Sequence, residues 1–578
     1  MVASAHILDS LAPVCFVRPQ PLRVGVLLNS LLIPHWAHHI LEEIEQLNDV
    51  EIIVIATLGN SKSTSLRSEH RNAPSLLRVW RDMDIKFFCR RSAHHDALTT
   101  MRFTPANGAV ILPQVSWVEG GYTAQTLAEL RSMQLDILLN LSSTEPTREL
   151  QAIARHGMLW FGDEENLLAD LFWLLYEKGS VLRNTVNISS SDNGTGTLAV
   201  CYSAADKYSL FRNLTESCWR RWEPVHRWLN EVTSENHHRR CDGMITLAGS
   251  SHNIPGNFEC IRLLLRLLGR LVHDKCIALV EREEWFIAFR KSIPMSGSMF
   301  GNAELTLLHP PSGHFYADPF VIDKADRTYV FFEDYNYSAH KAVISFVTID
   351  PEGECSAPDV ALAENYHLAY PCLFETNGQT YLLPETKNQK TIQLYRAVQF
   401  PNKWELVSAL QENISAVDST LLHHRGKFWL FTSGLNSQDP WFNGDSELFL
   451  FCADSLEGPW EPHPKNPIVT DVRKCRGAGQ IQNWNGQLIR PAQDCSSLYG
   501  HAVVLNRIDL LSENDYHETP IVKISPDWLP GNRGTHTFNR SQAYEVLDGR
   551  ILVNRLRNGH ATHRFETATP LHPIYKRV

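Results

Sequence analysis

A chain of 578 residues with ordinary apolar and aromatic content is too long for one core, so two or three domains are expected. Its formal net charge of −10 excludes a dedicated nucleic-acid binder, whose footprint would be basic. The twelve cysteines form no C-x-x-C pair and no disulfide framework, which argues against a zinc site and for buried free thiols in a reducing cytoplasm.

Residues 1–22 read as a tail, with no charged segment leading into a long apolar core, so no secretory signal is expected. No stretch reaches 18 uninterrupted apolar residues, so no membrane span is expected and the chain reads as cytoplasmic. Arg23–Asn29 reads as a buried strand, Ile33–Leu47 has helical spacing, and Val50–Ala56 is a second buried strand. Leu127–Met133 reads as helical and Asp136–Asn140 as a further apolar strand. Strands alternating with helices predict an α/β domain with a mostly parallel sheet over residues 23–230. Residues 231–284 read as a linker: a polar stretch, Ser234–Arg240, then a basic amphipathic helix over Phe258–Val280. Such a helix suits docking on its own protein, or contact with an anionic membrane surface.

From Trp285 to the end the chain reads as strand–turn–strand, and one motif returns five times with a period of about 50–60 residues. Ala317–Phe320 precedes a strand ending at Glu333, and Tyr370–Phe374 precedes one ending at Glu385. Asp418–Leu422 precedes Phe428–Thr432 and then Ser433. Arg476–Gln480 precedes Leu488–Pro491, and the stretch around His536 precedes Ile551–Arg555. The expected turns are Ala325-Asp326-Arg327, Asn377-Gly378, Arg425-Gly426, Asn485-Gly486 and Asp548-Gly549. Short strands repeating at this length predict an all-β five-bladed propeller over residues 285–578.

A propeller gathers equivalent residues around one axis, so Asp318, Tyr370, Asp418, Arg476 and His536 are expected at one mouth. Asp318 and Asp418 are candidate catalytic acids, because crowded carboxyls have the split pKa values that acid/base work on a glycosidic bond needs. Glu333 and Glu385 each lie fifteen residues after their blade's motif residue. Arg476, Arg490 and Asp494 form a charged cluster in the fourth blade, where Arg would hold a phosphate or carboxylate.

Residues 285–570 resemble the five-bladed propellers of the furanosidase superfamily, including glycoside hydrolase families 43 and 32. More closely they resemble the propeller attached to plant glucosamine inositolphosphorylceramide transferase and its bacterial relatives. The carrying residues are Phe315–Phe320, Tyr370-Pro371, Pro384–Thr386, Asp418–Thr420, Leu456–Trp460, Arg490–Cys495 and Gly534–Thr537. The furanosidase resemblance implies a base at Asp318, a modulating acid at Asp418 and a general acid in a late blade. The fourth blade has Arg476-Gly-Ala-Gly there instead, with Glu385 as a substitute. His536 matches a histidine near a central cation, so an axial divalent cation is implied as a possible cofactor.

Residues 20–230 resemble the formyltransferase fold, with His156-Gly157 and Ser209–Asn213 in the expected order. After Gly157 the family's Asn-x-His is replaced by Met158-Leu159-Trp160, with Asp163 or Asp192 near the later Asp, so folate-dependent chemistry is not expected from the usual machinery. Asn140, at the strand end Asn140–Ser143, and His156 mark the candidate ligand site of this domain. The reading that follows is glycosyl transfer from a sugar or nucleotide-sugar substrate, in glycan, glycolipid or glycosylated-metabolite assembly. The alternatives are a furanosidase-type hydrolase, a non-catalytic carbohydrate-binding scaffold and an amino-sugar N-formyltransferase.

Overall fold

The computed structural model describes residues 20–58, 76–77, 79–80, 83–84, 97, 99–105, 109–115, 117–118, 121–142, 147–161, 164–190, 194–233, 252–292, 304–434, 447–555, 562–570, 572 and 574–577. The chain forms two compact units, Met1–Leu271 and Val272–Val578.

The first unit is built on a seven-stranded sheet. Strand Leu22–Leu28 lies at the centre of its five parallel strands, flanked by Val50–Leu58 and Ile137–Asn140. Val110–Val115 and Met158–Trp160 extend the parallel set outward, and the hairpin Val181–Ser190/Gly194–Ala204 adds an antiparallel edge. The continuous apolar runs of the central strands suit a sheet covered on both faces. Helices His35–Glu45 and Glu164–Tyr176 supply part of that cover. The basic helix forms over Asn257–Val280 and docks by one face: Cys260, Leu263 and Leu267 join the first unit's core, and Arg266 and Arg270 donate to the carbonyls of Tyr176 and Lys207. Among the described residues no helix is long and apolar enough to cross a membrane. The polar stretch Ser234–Arg240, Asp163 and Asp192 lie outside the described residues.

The second unit is a five-bladed propeller. Blades one to three are four-stranded sheets starting with inner strands His314–Lys324, Ala369–Thr376 and Val417–His424. Blade four runs from Gln482–Trp484 through Tyr516–Ile524 and gains Tyr575–Arg577. Blade five closes the ring: Phe538–Arg540 and Tyr544–Asn554 pair with Glu281–Lys291, Leu305–His309 and Arg564–Ala568. The propeller's first strand thus begins at Glu281, ahead of the expected Trp285.

Four of the five expected turns form. Asn377-Gly378, Arg425-Gly426 and Asn485-Gly486 all have positive φ, as two-residue hairpins with the twist of their strands require, and Ala325 has φ 56°. The fifth expectation is corrected. Asp548-Gly549 sits inside strand Tyr544–Asn554, paired with Ile287 and Phe286, and the blade turns at Ser541, whose hydroxyl accepts from the amides of Ala543 and Tyr544. Gly549 is needed for packing: a Cβ there would lie 2.4 Å from the Phe286 ring.

Candidate functional site at the propeller mouth

Three inner strands enter the mouth through the same local device. Each carries a bulge, between Ala317 and Phe320, Ala369 and Cys372, and Val417 and Thr420. Inside each bulge sits a non-glycine residue in the left-handed region: Asp318 (φ 51°), Tyr370 (φ 44°) and Asp418 (φ 49°). Left-handed backbone is costly for such residues and persists where the surroundings over-determine it, commonly at functional sites. Blades four and five pair without the bulge: the carbonyl of Arg476 accepts from the Gln493 amide at 2.8 Å, and that of Thr537 from the Asp548 amide at 3.4 Å. The residues facing these entries on the second strands form a ring of Glu333, Glu385, Ser433, Gln493 and Asp548.

Asp318 is 5% exposed, accepts from the Thr537 hydroxyl at 2.7 Å, and its carboxylate lies 3.5 Å from His536 Nε2. Burial, then the charges of Asp418 and Asp548, push its carboxyl up to about 6 against the pull of His536. Asp418 accepts from Arg476 Nε at 2.5 Å and from Gln493 Nε2 at 3.0 Å. The Glu385 carboxylate accepts from the Asp418 amide at 3.4 Å, and burial followed by Asp418 pushes its carboxyl up to about 8. Glu333 is raised well above the ordinary carboxyl range by burial, then by Asp318 and Glu385. Four carboxyls therefore share one partly dry funnel.

The Arg476 guanidinium lies over the Tyr499 ring at 4.9 Å and its Nη2 donates to the Tyr499 hydroxyl at 3.4 Å. Gly477 and Gly479 permit this approach: a Cβ on Gly477 would lie 2.6 Å from the Asp418 carbonyl, and one on Gly479 2.2 Å from that of Phe538. His536 stacks on Trp285 at 4.1 Å and its Nδ1 forms a close ion pair with Asp548. Burial would lower its pKa, but Asp548 and Asp318 outweigh burial and raise it.

Of the candidates, Asp318, Asp418, Glu333, Glu385, Arg476 and His536 come together. Tyr370 does not open to the mouth: it is fully buried, accepting from the Gly479 amide at 2.7 Å and bonding Thr420 at 2.9 Å. Arg490 and Asp494 are corrected likewise. Arg490 makes a bidentate pair with Glu518, both bonds 2.8 Å, and Asp494 is bound to Lys523 at 2.6 Å. Side chains alternate along a strand, and the intervening Gln493 is the one that faces Asp418. Gln493 and Asp548 were missed. Their signal was position, since each faces a blade's entry residue, but the misplaced fifth turn hid Asp548.

In the first unit, Asn140 and His156 do not form one site. Strands Ile137–Asn140 and Met158–Trp160 run parallel, with Asn140 opposite Trp160 and the His156 amide bonded to the Asp136 carbonyl. They stand at opposite ends of the sheet, about 13 Å apart for four residues of strand. Asn140 accepts from the amide and hydroxyl of Ser142 at 3.0 and 2.6 Å.

Asp318, His536 and Asp548 place one ligand atom each within 4.8 Å of one another. Two carboxylates and an imidazole fit a divalent cation by donor type, and His536 would have to be neutral to bind it.

Residues 277–552 match the family described as "Glucosamine inositolphosphorylceramide transferase 1, N-terminal". The glucosamine inositolphosphorylceramide transferase 1 of Arabidopsis thaliana is 33% identical over 290 residues, covering 47% of this chain and 36% of that protein. That of Oryza sativa subsp. japonica is 33% identical over 227 residues, covering 38% and 30%. The chain spans about a third of the length of these curated relatives. Among solved structures, the catalytic domain of Coprinopsis cinerea GH62 α-L-arabinofuranosidase is similar at 12% identity and TM-score 0.33, covering 50% of this chain and 98% of that one. Zg3597, a family 117 glycoside hydrolase from Zobellia galactanivorans, is similar at 11% identity and TM-score 0.30, covering 46% and 90%. The propeller of this chain is thus similar to the N-terminal part of glucosamine inositolphosphorylceramide transferase 1, as that family is described.

Proposed function

We propose that the propeller mouth transfers a glycosyl unit from a phosphate-linked donor, in glycan, glycolipid or glycosylated-metabolite assembly. Arg476 carries this reading. A furanosidase-type mouth would need a carboxylic acid in the fourth blade, and this one holds a guanidinium on Asp418 at 2.5 Å. A departing phosphate needs a fixed positive charge more than it needs a proton. The 33% identity to proteins named as transferases supports the same reading.

In this scheme Asp318, with its carboxyl near 6, is mostly ionised at neutral pH and close enough to it to accept the acceptor hydroxyl's proton. His536, held by Asp548 and stacked on Trp285, fixes the position and charge of Asp318. Asp418, itself held by Gln493, holds Arg476 in place to receive the phosphate. A divalent cation on Asp318, His536 and Asp548, if bound, would supply the same anchoring and lower the proton affinity of Asp318.

The second reading, hydrolysis, is favoured by Glu385. With its carboxyl near 8 it carries a proton at neutral pH and would serve as general acid, with Asp318 as the base. The funnel of carboxyls argues against a scaffold with a mouth plugged by apolar side chains. The formyltransferase likeness of the first unit rests on strand order, and the separation of Asn140 from His156 gives formyl transfer no support there. Contact with a membrane surface would use Phe258, Leu265, Leu268 and Val272, which are exposed on the basic helix.

A thermal-shift panel of nucleotide sugars, free sugars and folate derivatives tests the ranking. Stabilisation by a nucleotide sugar is expected, and stabilisation by folate derivatives alone would overturn it.

A further inference from the structure

The sheet face that carries Glu333 continues past the acids to the rim. Side chains alternate along a strand, so Phe315 and Ala317 share a face with their cross-strand partners Tyr335 and Glu333. Two residues outward from Glu333, about 7 Å along the strand, the rings of Phe315 and Tyr335 stack with centroids 4.7 Å apart and planes 10° apart. Tyr337 meets both edge-on, at 5.8 and 5.4 Å. His367, from the segment before blade two, meets Tyr335 edge-on at 5.8 Å and reaches Glu333 with Nε2 at 3.6 Å. These rings do not belong to the core: Phe315, Tyr335 and His367 are half-buried and Tyr337 is 39% exposed. On the opposite face of the same strands His314 bonds Asp334 at 2.7 Å and Asn336 at 3.0 Å, which stiffens the ends that carry them. The result is a rigid aromatic shelf from solvent to a buried carboxyl.

We propose that this shelf is a second ring-binding subsite, which seats the apolar C–H face of a neutral pyranose or cyclitol ring of the acceptor while Glu333 and His367 serve its hydroxyls. Aromatic side chains with a polar edge suit such amphipathic partners. The ligand is neutral because the charged groups that act on Tyr337 are of both signs, Arg282 against Glu283 and Glu284, and Asp334 lies on the strand itself, so a phosphate gains no net attraction there. Phosphate belongs with Arg476 in blade four, which is not adjacent to blade one in the ring. A substrate pair would therefore lie across the axis, donor phosphate on one side and acceptor ring on the other. This subsite rests on the transfer reading above, but its failure can be told apart from the failure of that reading.

The test is calorimetric titration of the full chain with UDP-glucose, cellobiose and myo-inositol. Saturable binding of cellobiose or myo-inositol is expected, weakened about tenfold in Tyr335→Leu and in Tyr337→Ala, with UDP-glucose affinity unchanged. Tyr337 is at the exposed end of the shelf, so its loss leaves the fold intact and reads binding alone. Arg476→Met is expected to do the reverse, losing UDP-glucose and keeping the neutral ring. If both shelf variants bind the neutral ring as the parent does, or if the parent binds UDP-glucose but neither neutral ring, the shelf is overturned and transfer stands. If the parent binds none of the three, both readings are overturned.

Discussion

The propeller mouth and the carboxyl edge of the N-terminal sheet are both places where a fold collects side chains from distant parts of a sequence, yet only the mouth assembles a charged machine. At the mouth, residues of five blades meet, and burial makes each carboxyl's protonation depend on its neighbours. At the sheet edge Asn140 bonds Ser142 two residues away, while His156 is at the far end of the next strand. The difference is one of symmetry. Rotation about an axis brings equivalent positions together, whereas parallel strands keep residues apart unless their registers coincide. A motif repeated in sequence is thus evidence of convergence in a propeller and not in an open sheet.

The largest expected effect separates the two regions outright. Asp318→Asn should lower sugar transfer by about 10²–10⁴-fold, measured as product formed per enzyme at saturating donor, and full retention would remove the mouth as the active site. Behind the mouth, Arg490→Met should cost about 3–5 kcal/mol of stability by leaving Glu518 buried without its Arg490 pair. Its nucleotide-sugar affinity, measured below the melting temperature, should not change, whereas in Arg476→Met it should fall. Gly549→Ala should cost about 1–3 kcal/mol by driving a methyl into Phe286, read by denaturant unfolding; a neutral result would restore Asp548-Gly549 as a turn.

The pH dependence sharpens the choice between transfer and hydrolysis. A carboxyl raised to about 8 keeps, in the folded state, a proton that the unfolded chain releases from about 4.5 upward. The stability from Glu385 is therefore full below that lower value and is lost as pH rises through about 8. Melting temperatures of Glu385→Gln should fall less steeply than the parent's between pH 5 and 8.5. If Glu385 is a general acid, activity should also have an alkaline limb near 8 in addition to an acid limb near 6 from Asp318. Transfer assisted by Arg476 alone should show only the acid limb. The smallest effect is expected from Asn140→Ala, about 1 kcal/mol by unfolding with no change in ligand binding at the mouth.

What could be read from the sequence followed from local rules. Asn-Gly and Arg-Gly pairs announce left-handed turns, and four hairpins formed where such signals or Ala325 stood. Asp318 and Asp418 were legible because each stands at the same place in its blade's repeat, ahead of the first turn. Arg490 and Asp494 were misassigned because one residue of register decides which face a strand side chain takes, and nothing local distinguishes them from Gln493. Asp548 was hidden because Asp-Gly is a turn signal everywhere except where a glycine is needed for a neighbouring ring, here Phe286, some 260 residues earlier in sequence. Long-range packing of that kind has no local signature.

Blade five joins the two ends of the propeller's chain, with Glu281–Lys291 zipped along Tyr544–Asn554. The candidate centre is therefore completed by the fifth blade, because His536 and Asp548 come from its later residues and Trp285, on which His536 stacks, from the strand that opens the propeller. Contacts so distant in sequence form late and slowly. A chain cut short anywhere before residue 550 would display the unpaired edge of Glu281–Lys291, an aggregation and quality-control signal, and would have no seated histidine. Closing the ring and assembling the centre are therefore one event.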